Sequence, residues 1–252
     1  MISNRPAAES ADATTGARPV DQSGPGRVEP GRVSLFDPNA RRLARAAIDL
    51  DTGLIVQIVQ TSVDSVGVVS TWEQLVQPVW RYLGSRTGDN DQDAAAEHLY
   101  VQSAMTALSG RNRPRRPSPQ SVLLACADEE FQVLPLETLV AALEESGVSC
   151  RVLGARVPPA ALATAARRLQ PAAVIVWSQN RTTAGPAQID EVLDAQPGAT
   201  IIAAGPGWAT ANLSPRAVRS TDVSTALVLT LAVLEGHNQP PTKRAGQVWS
   251  GM

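Results

Sequence analysis

Ser121-Val122-Leu123-Leu124-Ala125-Cys126-Ala127 is a continuous apolar run, and the segment behind it, Leu136 to Glu145, repeats at the helical period. Strands that are apolar on every residue, rather than on alternate ones, are buried on both faces. The same alternation continues along the chain. Gly147 leads into a second strand, Ser149 to Leu153, then a helix from Ala160 to Leu169 and a third strand, Ala172 to Trp177 (AAVIVW). A helix from Ala187 to Leu193, a fourth strand from Thr200 to Ala204 (TIIAA), a weak fifth at Ala217 to Ser220 and a closing helix from Val223 to Leu234 complete the pattern. Strand and helix in strict turn predict a doubly wound parallel sheet.

Toward the N-terminus the period is helical throughout. Asp37-Pro38 reads as an N-cap with proline at the first helical position, followed by Leu43, Ala46, Ala47 and Leu50. Leu54, Ile55, Ile58 and Val59 form a second stripe. Trp72, Leu75, Val76, Val79, Trp80 and Leu83 form a third, with Ser70 or Thr71 as its N-cap, and a fourth runs from Asp91 through Ala96, Leu99, Ala104 and Leu108. Four short amphipathic helices joined by short loops predict a four-helix bundle.

Composition sets the boundaries. Residues 1–34 are dominated by Pro, Gly, Ala, Ser and charge, too poor in large apolar side chains to offset ordering entropy, and read as a disordered tail. The bundle then spans 35–110. Residues 111–120, where arginines alternate with Pro114, Pro117 and Pro119, read as a linker; the Rossmann-like domain follows at 121–236 and a polar tail at 237–252.

The formal charge of -2 comes from interspersed acidic and basic residues, so no basic field suited to nucleic acid is expected. No signal-peptide pattern opens the chain, and no stretch approaches the roughly eighteen consecutive apolar residues of a membrane span. Cys126 and Cys150 are the only cysteines and sit in apolar, strand-like runs. They argue for buried thiols in a reducing cytoplasm, not a disulfide framework.

In doubly wound sheets ligands bind outside the carboxyl ends of the strands, which directs attention to 126–135, 178–181 and 205–208. Asp128, Glu129 and Glu130 offer carboxylates, yet no base, nucleophile and orienter stand together, so no enzyme is expected and the loop reads as a solvated acidic turn. Ala204-Gly205-Pro206-Gly207-Trp208 either lets the backbone approach a flat ligand or makes an ordinary tight turn. His98, beside Glu97, is the one histidine outside the C-terminal end, so the chain offers no second imidazole for a zinc site.

Together these residues carry a resemblance. Trp72-Glu73-Gln74-Leu75-Val76-Gln77-Pro78-Val79-Trp80, then Leu83-Gly84, then Glu97-His98-Leu99, resemble the bundle of the cobalamin-binding domains, in particular those of light-sensing MerR-type transcriptional regulators. Ser146-Gly147-Val148, Leu153-Gly154, Val157-Pro158, Leu162 and Ala166 are similar to the α/β half of that family, and the likeness spans about residues 35–235. It implies a bundle placed over the carboxyl edge of the sheet with a planar corrin between them. Trp72, Glu97 and His98 would face the ligand from above, with His98 a candidate for the metal. Cys126, Gln132, Val133, Ser178, Gln179, Gly205, Pro206, Gly207 and Trp208 would face it from below.

The family's lower-ligand motif is absent. Gln132 stands where it has its cobalt-binding histidine and Pro135 where it has glycine, while Thr87 and Gly88 replace the tryptophan and histidine of the upper face. A neutral amide is a poor ligand for cobalt beside an imidazole. Three expectations follow. The first is a sensor or photoreceptor binding cobalamin or another tetrapyrrole such as biliverdin, with Cys126 a candidate bilin anchor. It would act on transcription through a DNA-binding regulator or other signalling protein, since no helix-turn-helix precedes Asp37; homo-oligomerisation is open. The second is a corrinoid carrier for methyl transfer, and the third a ligand-free interaction module.

Overall fold

Strand β1 (Ser121–Cys126) pairs in parallel with both β2 (Ser149–Gly154) and β3 (Ala173–Trp177), and β3 continues to β4 (Thr200–Ala204) and β5 (Ala217–Ser220). The computed structural model, which describes residues 37–86, 91–109 and 121–238, thus has a five-stranded parallel sheet in the order β2-β1-β3-β4-β5. The chain reverses direction across the sheet between β1 and β3, which makes that gap the switch point.

Side chains alternate as a pleat requires. Val122, Leu124 and Cys126 of β1 join Ile175, Trp177, Ile202 and Ala204 on one face, under α5 (Leu134–Glu145) and α8 (Val223–Asn238). Leu123, Ala125, Val174, Val176, Ile201 and Ala203 point to the other, under α6 (Pro159–Leu169) and α7 (Pro186–Ala195). Both faces of β1, β3 and β4 are covered, so these central strands are almost wholly apolar, while the edge strands β2 and β5 carry Arg151 and Arg219.

The bundle consists of α1 (Pro38–Ile48), α2 (Thr52–Thr71), a π turn (Trp72–Val76), α3 (Gln77–Gly84) and α4 (Asp91–Leu108). Asp37 caps α1 as expected, its carboxylate accepting from the N–H groups of Asn39 (2.7 Å) and Ala40 (3.0 Å). The expected cap at Ser70 or Thr71 is corrected: both lie inside helical backbone, and the break falls at Gly67, whose φ of 81° only glycine adopts cheaply. The N–H of Val68 freed by that break donates to the Glu145 carboxylate at 3.3–3.4 Å, so the cap comes from α5 instead of from local sequence. The second and third helices therefore meet directly at the Gly67 kink, with no connecting loop, and the third runs on through the π turn. Tyr100 of α4 is fully buried and donates its hydroxyl to the Val76 carbonyl at 2.9 Å, pinning that turn.

Thr52–Gly84 is long and apolar enough to cross a membrane by length and composition. The break at Gly67, the polar residues Gln57, Gln60, Thr61, Asp64 and Ser65, and the burial of Ile55, Ile58, Val59 and Val63 make it a bundle helix with one face in the core. The bundle packs on α5 through α2 and α4, so its core and the α5/α8 side of the sheet form one apolar cluster. The expected tail at 1–34, the linker at 111–120, and Thr87 and Gly88 lie outside the described residues; α8 runs to Asn238, beyond its expected end at Leu234.

Candidate functional site

Cys126, Trp177, Ala204 and Ser220 stand level at the carboxyl ends of their strands, because the pairing registers them directly: Cys126 with Trp177, Trp177 with Ala204, Ala204 with Ser220. The loops that leave these residues are therefore brought side by side at the switch point.

Glu130 ties them together. Its side chain, on a residue only 1 % exposed, accepts at Oε2 from the N–H groups of Gln179 (2.9 Å) and Asn180 (3.1 Å) and from the Thr183 hydroxyl (2.7 Å). Oε1 accepts from the Gln132 N–H at 2.9 Å. The backbone of Glu130 is held too, its N–H donating to the Ala127 carbonyl and its carbonyl accepting from the Arg156 N–H, each at 3.0 Å. The reading of 128–130 as a solvated acidic turn is thus corrected at one residue. Glu129 does face solvent, where it pairs with Arg156 at 2.8 Å while the same guanidinium lies 4.7 Å over the ring of exposed Phe131.

Gln188 makes a second tie. Buried on α7, it accepts from the Asp128 N–H at 3.1 Å and donates to the Val157 carbonyl at 3.0 Å. Nothing in the sequence distinguished Glu130, Thr183 or Gln188 from surface polar residues, since the contacts that tie the loops together span 31 to 60 positions.

The glycine loop is explained by close approach, but of the protein's own backbone. A Cβ on Gly205 would run into the Ser178 carbonyl, and one on Gly207 into the Ser178 hydroxyl and to 2.5 Å from the Asn180 carbonyl. The Gly207 N–H donates to the Ser178 carbonyl at 2.9 Å, and the buried Ser178 hydroxyl bonds Thr183 Oγ1 and the Asn180 carbonyl, each at 2.8 Å. Trp208 is fully buried on the α6/α7 side, its indole N–H donating to the Val176 carbonyl at 3.0 Å. Pro206 is exposed and Gln179 half-buried.

The other expected residues disperse. Trp72 is a bundle-core residue, its ring 6.1 Å from that of Trp80. Glu97 is half-buried beside Gly84 and His98 is exposed; among the described residues no hydrogen bond or ion pair joins either to the switch-point loops. Gln132 and Val133 are half-buried. Cys126 is fully buried, and desolvation, helped by the charges of Glu130 and Glu137, pushes its thiol up to about 12. A thiol so enclosed and protonated is no covalent anchor for a bilin, and that role is withdrawn. Among the described residues one buried side-chain polar atom lacks a partner, the indole Nε1 of Trp177 at the mouth of β3.

Among solved structures, the monomethylamine corrinoid protein of Methanosarcina barkeri superposes with a TM-score of 0.57, covering 76% of this chain and 96% of that one at 11% identity. The chain shares the fold of a corrinoid protein. The methanol:cobalamin methyltransferase complex of the same organism matches at TM-score 0.41 and 14% identity, over 80% of this chain and 81% of that one. A cobalamin-binding protein from Desulfitobacterium hafniense matches at 0.38 and 18%, over 78% and 98%. No protein-family model and no curated protein matches the sequence.

The shared fold poses a direct test of fit. A corrin ligated from below takes one side-chain donor from the protein, which the resemblance places on the loop after β1 as an imidazole; Gln132 stands there, with a neutral amide in its place. Where the loops after β1, β3 and β4 meet, the Glu130 carboxylate bonds the Gln179 and Asn180 N–H groups, and Gly205 and Gly207 pack against Ser178 and the Asn180 carbonyl. The residues present do not fit a corrinoid with a protein-supplied lower ligand.

Proposed function

We propose that this chain is a non-catalytic regulatory module that acts by binding a protein partner, built on a corrinoid-protein fold whose ligand crevice is closed by its own loops. The observation that carries this reading is the packing at the switch point, where Gly205 and Gly207 press on Ser178 and Asn180. Glycines that approach a cofactor elsewhere in this architecture would here seal the space between two loops. A DNA-binding regulator or another signalling protein is the partner in keeping with a chain of charge -2 and mixed surface signs, which offers phosphate backbones little.

A second reading keeps a ligand: a cobalamin that retains its own lower base and lies above the strand mouths, in a sensor that signals to the same class of partner. The unpartnered Trp177 N–H favours it, as a buried donor without an acceptor is what a displaced ligand group would satisfy. Methyl transfer by a corrinoid carrier gains less, because it relies on tuning cobalt from below.

The test is absorbance after incubation with hydroxocobalamin, adenosylcobalamin, haem and biliverdin, in darkness and light, followed by gel filtration. The closed-crevice reading expects no retained chromophore. Cobalamin retained with its base-on spectrum would establish the second reading, and a spectrum showing protein ligation would overturn both. If such a spectrum appeared, its persistence in His98→Ala would exclude His98 as the ligand.

A further inference from the structure

We propose that the loop from Ser178 to Thr183 is an oxyanion cradle and that its occupant is the protein's own Glu130 carboxylate, acting as a latch on the switch point. The inference deepens the closed-crevice reading by naming the group that closes it.

The donors are neutral and convergent. Two consecutive backbone N–H groups, of Gln179 and Asn180, and the Thr183 hydroxyl meet at Oε2, while the Gln132 N–H takes Oε1. Consecutive N–H groups turned to one point form an anion-binding nest. The nearby cation does not neutralise Glu130, because the Arg156 guanidinium pairs with Glu129. A buried carboxylate without a cation is held only where hydrogen bonds replace its hydration, and here they do so from two loops that approach from β1 and β3. The cradle also sits where doubly wound sheets receive ligands. An internal carboxylate therefore occupies the position that an external anion would take.

Removing the side chain should leave a vacancy with its donors still aimed inward. The experiment is thermal unfolding of the full chain carrying Glu130→Ala, titrated with sodium formate or acetate at constant ionic strength, with chloride as the control. Glu130→Ala should melt below the parent and recover saturably with formate or acetate and not with chloride; the parent should not respond. A folded Glu130→Ala that responds to carboxylates no more than to chloride would overturn the latch.

Should Glu130→Ala fail to fold, Glu130→Gln keeps the shape and one accepting oxygen for Gln179, Asn180 and Thr183, but sets its NH2 against the Gln132 N–H. Amide exchange at Gln132 should then accelerate at least ~10-fold, with Ile55 of the bundle unchanged. Unaltered exchange at Gln132 would equally overturn the proposal. Anion rescue and chromophore retention are separate readouts: retained cobalamin in the parent would sink the closed-crevice reading, whereas absent rescue would sink the latch alone.

Discussion

Glu130 and Glu145 stand at the two ends of α5's surroundings and do the same job with different force. Each carboxylate reaches from its own segment to backbone N–H groups that local structure leaves free. Glu130 does so while almost wholly buried, with contacts of 2.7 to 3.1 Å from four donors. Glu145 is exposed and reaches a single N–H, that of Val68, at 3.3–3.4 Å. Long contacts in water exchange one solvated state for another and gain little, whereas a buried carboxylate depends on every donor that replaces its hydration. The switch point is thus held by polar groups that must be satisfied, and the Gly67 break by apolar packing that the carboxylate merely decorates.

The comparison can be broken by substitution. The largest effect is expected for Glu130→Ala, about 2 kcal/mol of unfolding free energy by denaturant titration, because four part-buried donors lose one charged acceptor that ties two loops together. A cost below about 1 kcal/mol would show that water reaches the loops. Gly207→Ala should come close behind, also at about 2 kcal/mol, since the new methyl must push back the Asn180 carbonyl and the Ser178 hydroxyl. If it is tolerated without loss, the two loops are not in contact in solution.

Asp222 sharpens the scale between the two glutamates. Its carboxylate accepts from the Thr225 N–H at 2.8 Å and the Ser224 hydroxyl at 2.9 Å at the start of α8. Partial burial pushes this carboxyl up, but bonds from Thr225, Ser224 and Thr221 outweigh it and hold the group below its usual range. A depressed folded pKa stabilises above the unfolded value, about 3.9, and the benefit is lost as pH falls through the folded one. Asp222→Ala should therefore cost about 1 kcal/mol at pH 7 and progressively less below about pH 4. A difference that stays constant down to pH 2 would refute the charge contribution. The smallest effect belongs to Glu145→Ala, about 0.5 kcal/mol or less by the same titration; a loss near that of Glu130→Ala would erase the contrast.

Much of the fold was legible. The apolar runs at 121–127, 172–177 and 200–204 matched β1, β3 and β4 within a residue or two, since a strand buried on both faces leaves little room for polar residues. Asp37-Pro38 marked α1 because capping is local. The cap at Gly67 was missed, as its partner lies 77 residues away. The site was less legible. Gly205 and Gly207 announced a close approach, but a glycine does not say to what. Asp128, Glu129 and Glu130 are alike in sequence, and only the third meets the β3 loop.

The sequence by itself determined the alternation of strands and helices, the bundle before them, and the lack of an imidazole at Gln132, since each is a matter of local periodicity or residue type. Only the tertiary structure decided that Glu130 is buried, that Trp72 belongs to the bundle core and that the switch-point loops close on one another. Those are facts about contacts between distant segments, and burial, unlike propensity, belongs to the assembled chain.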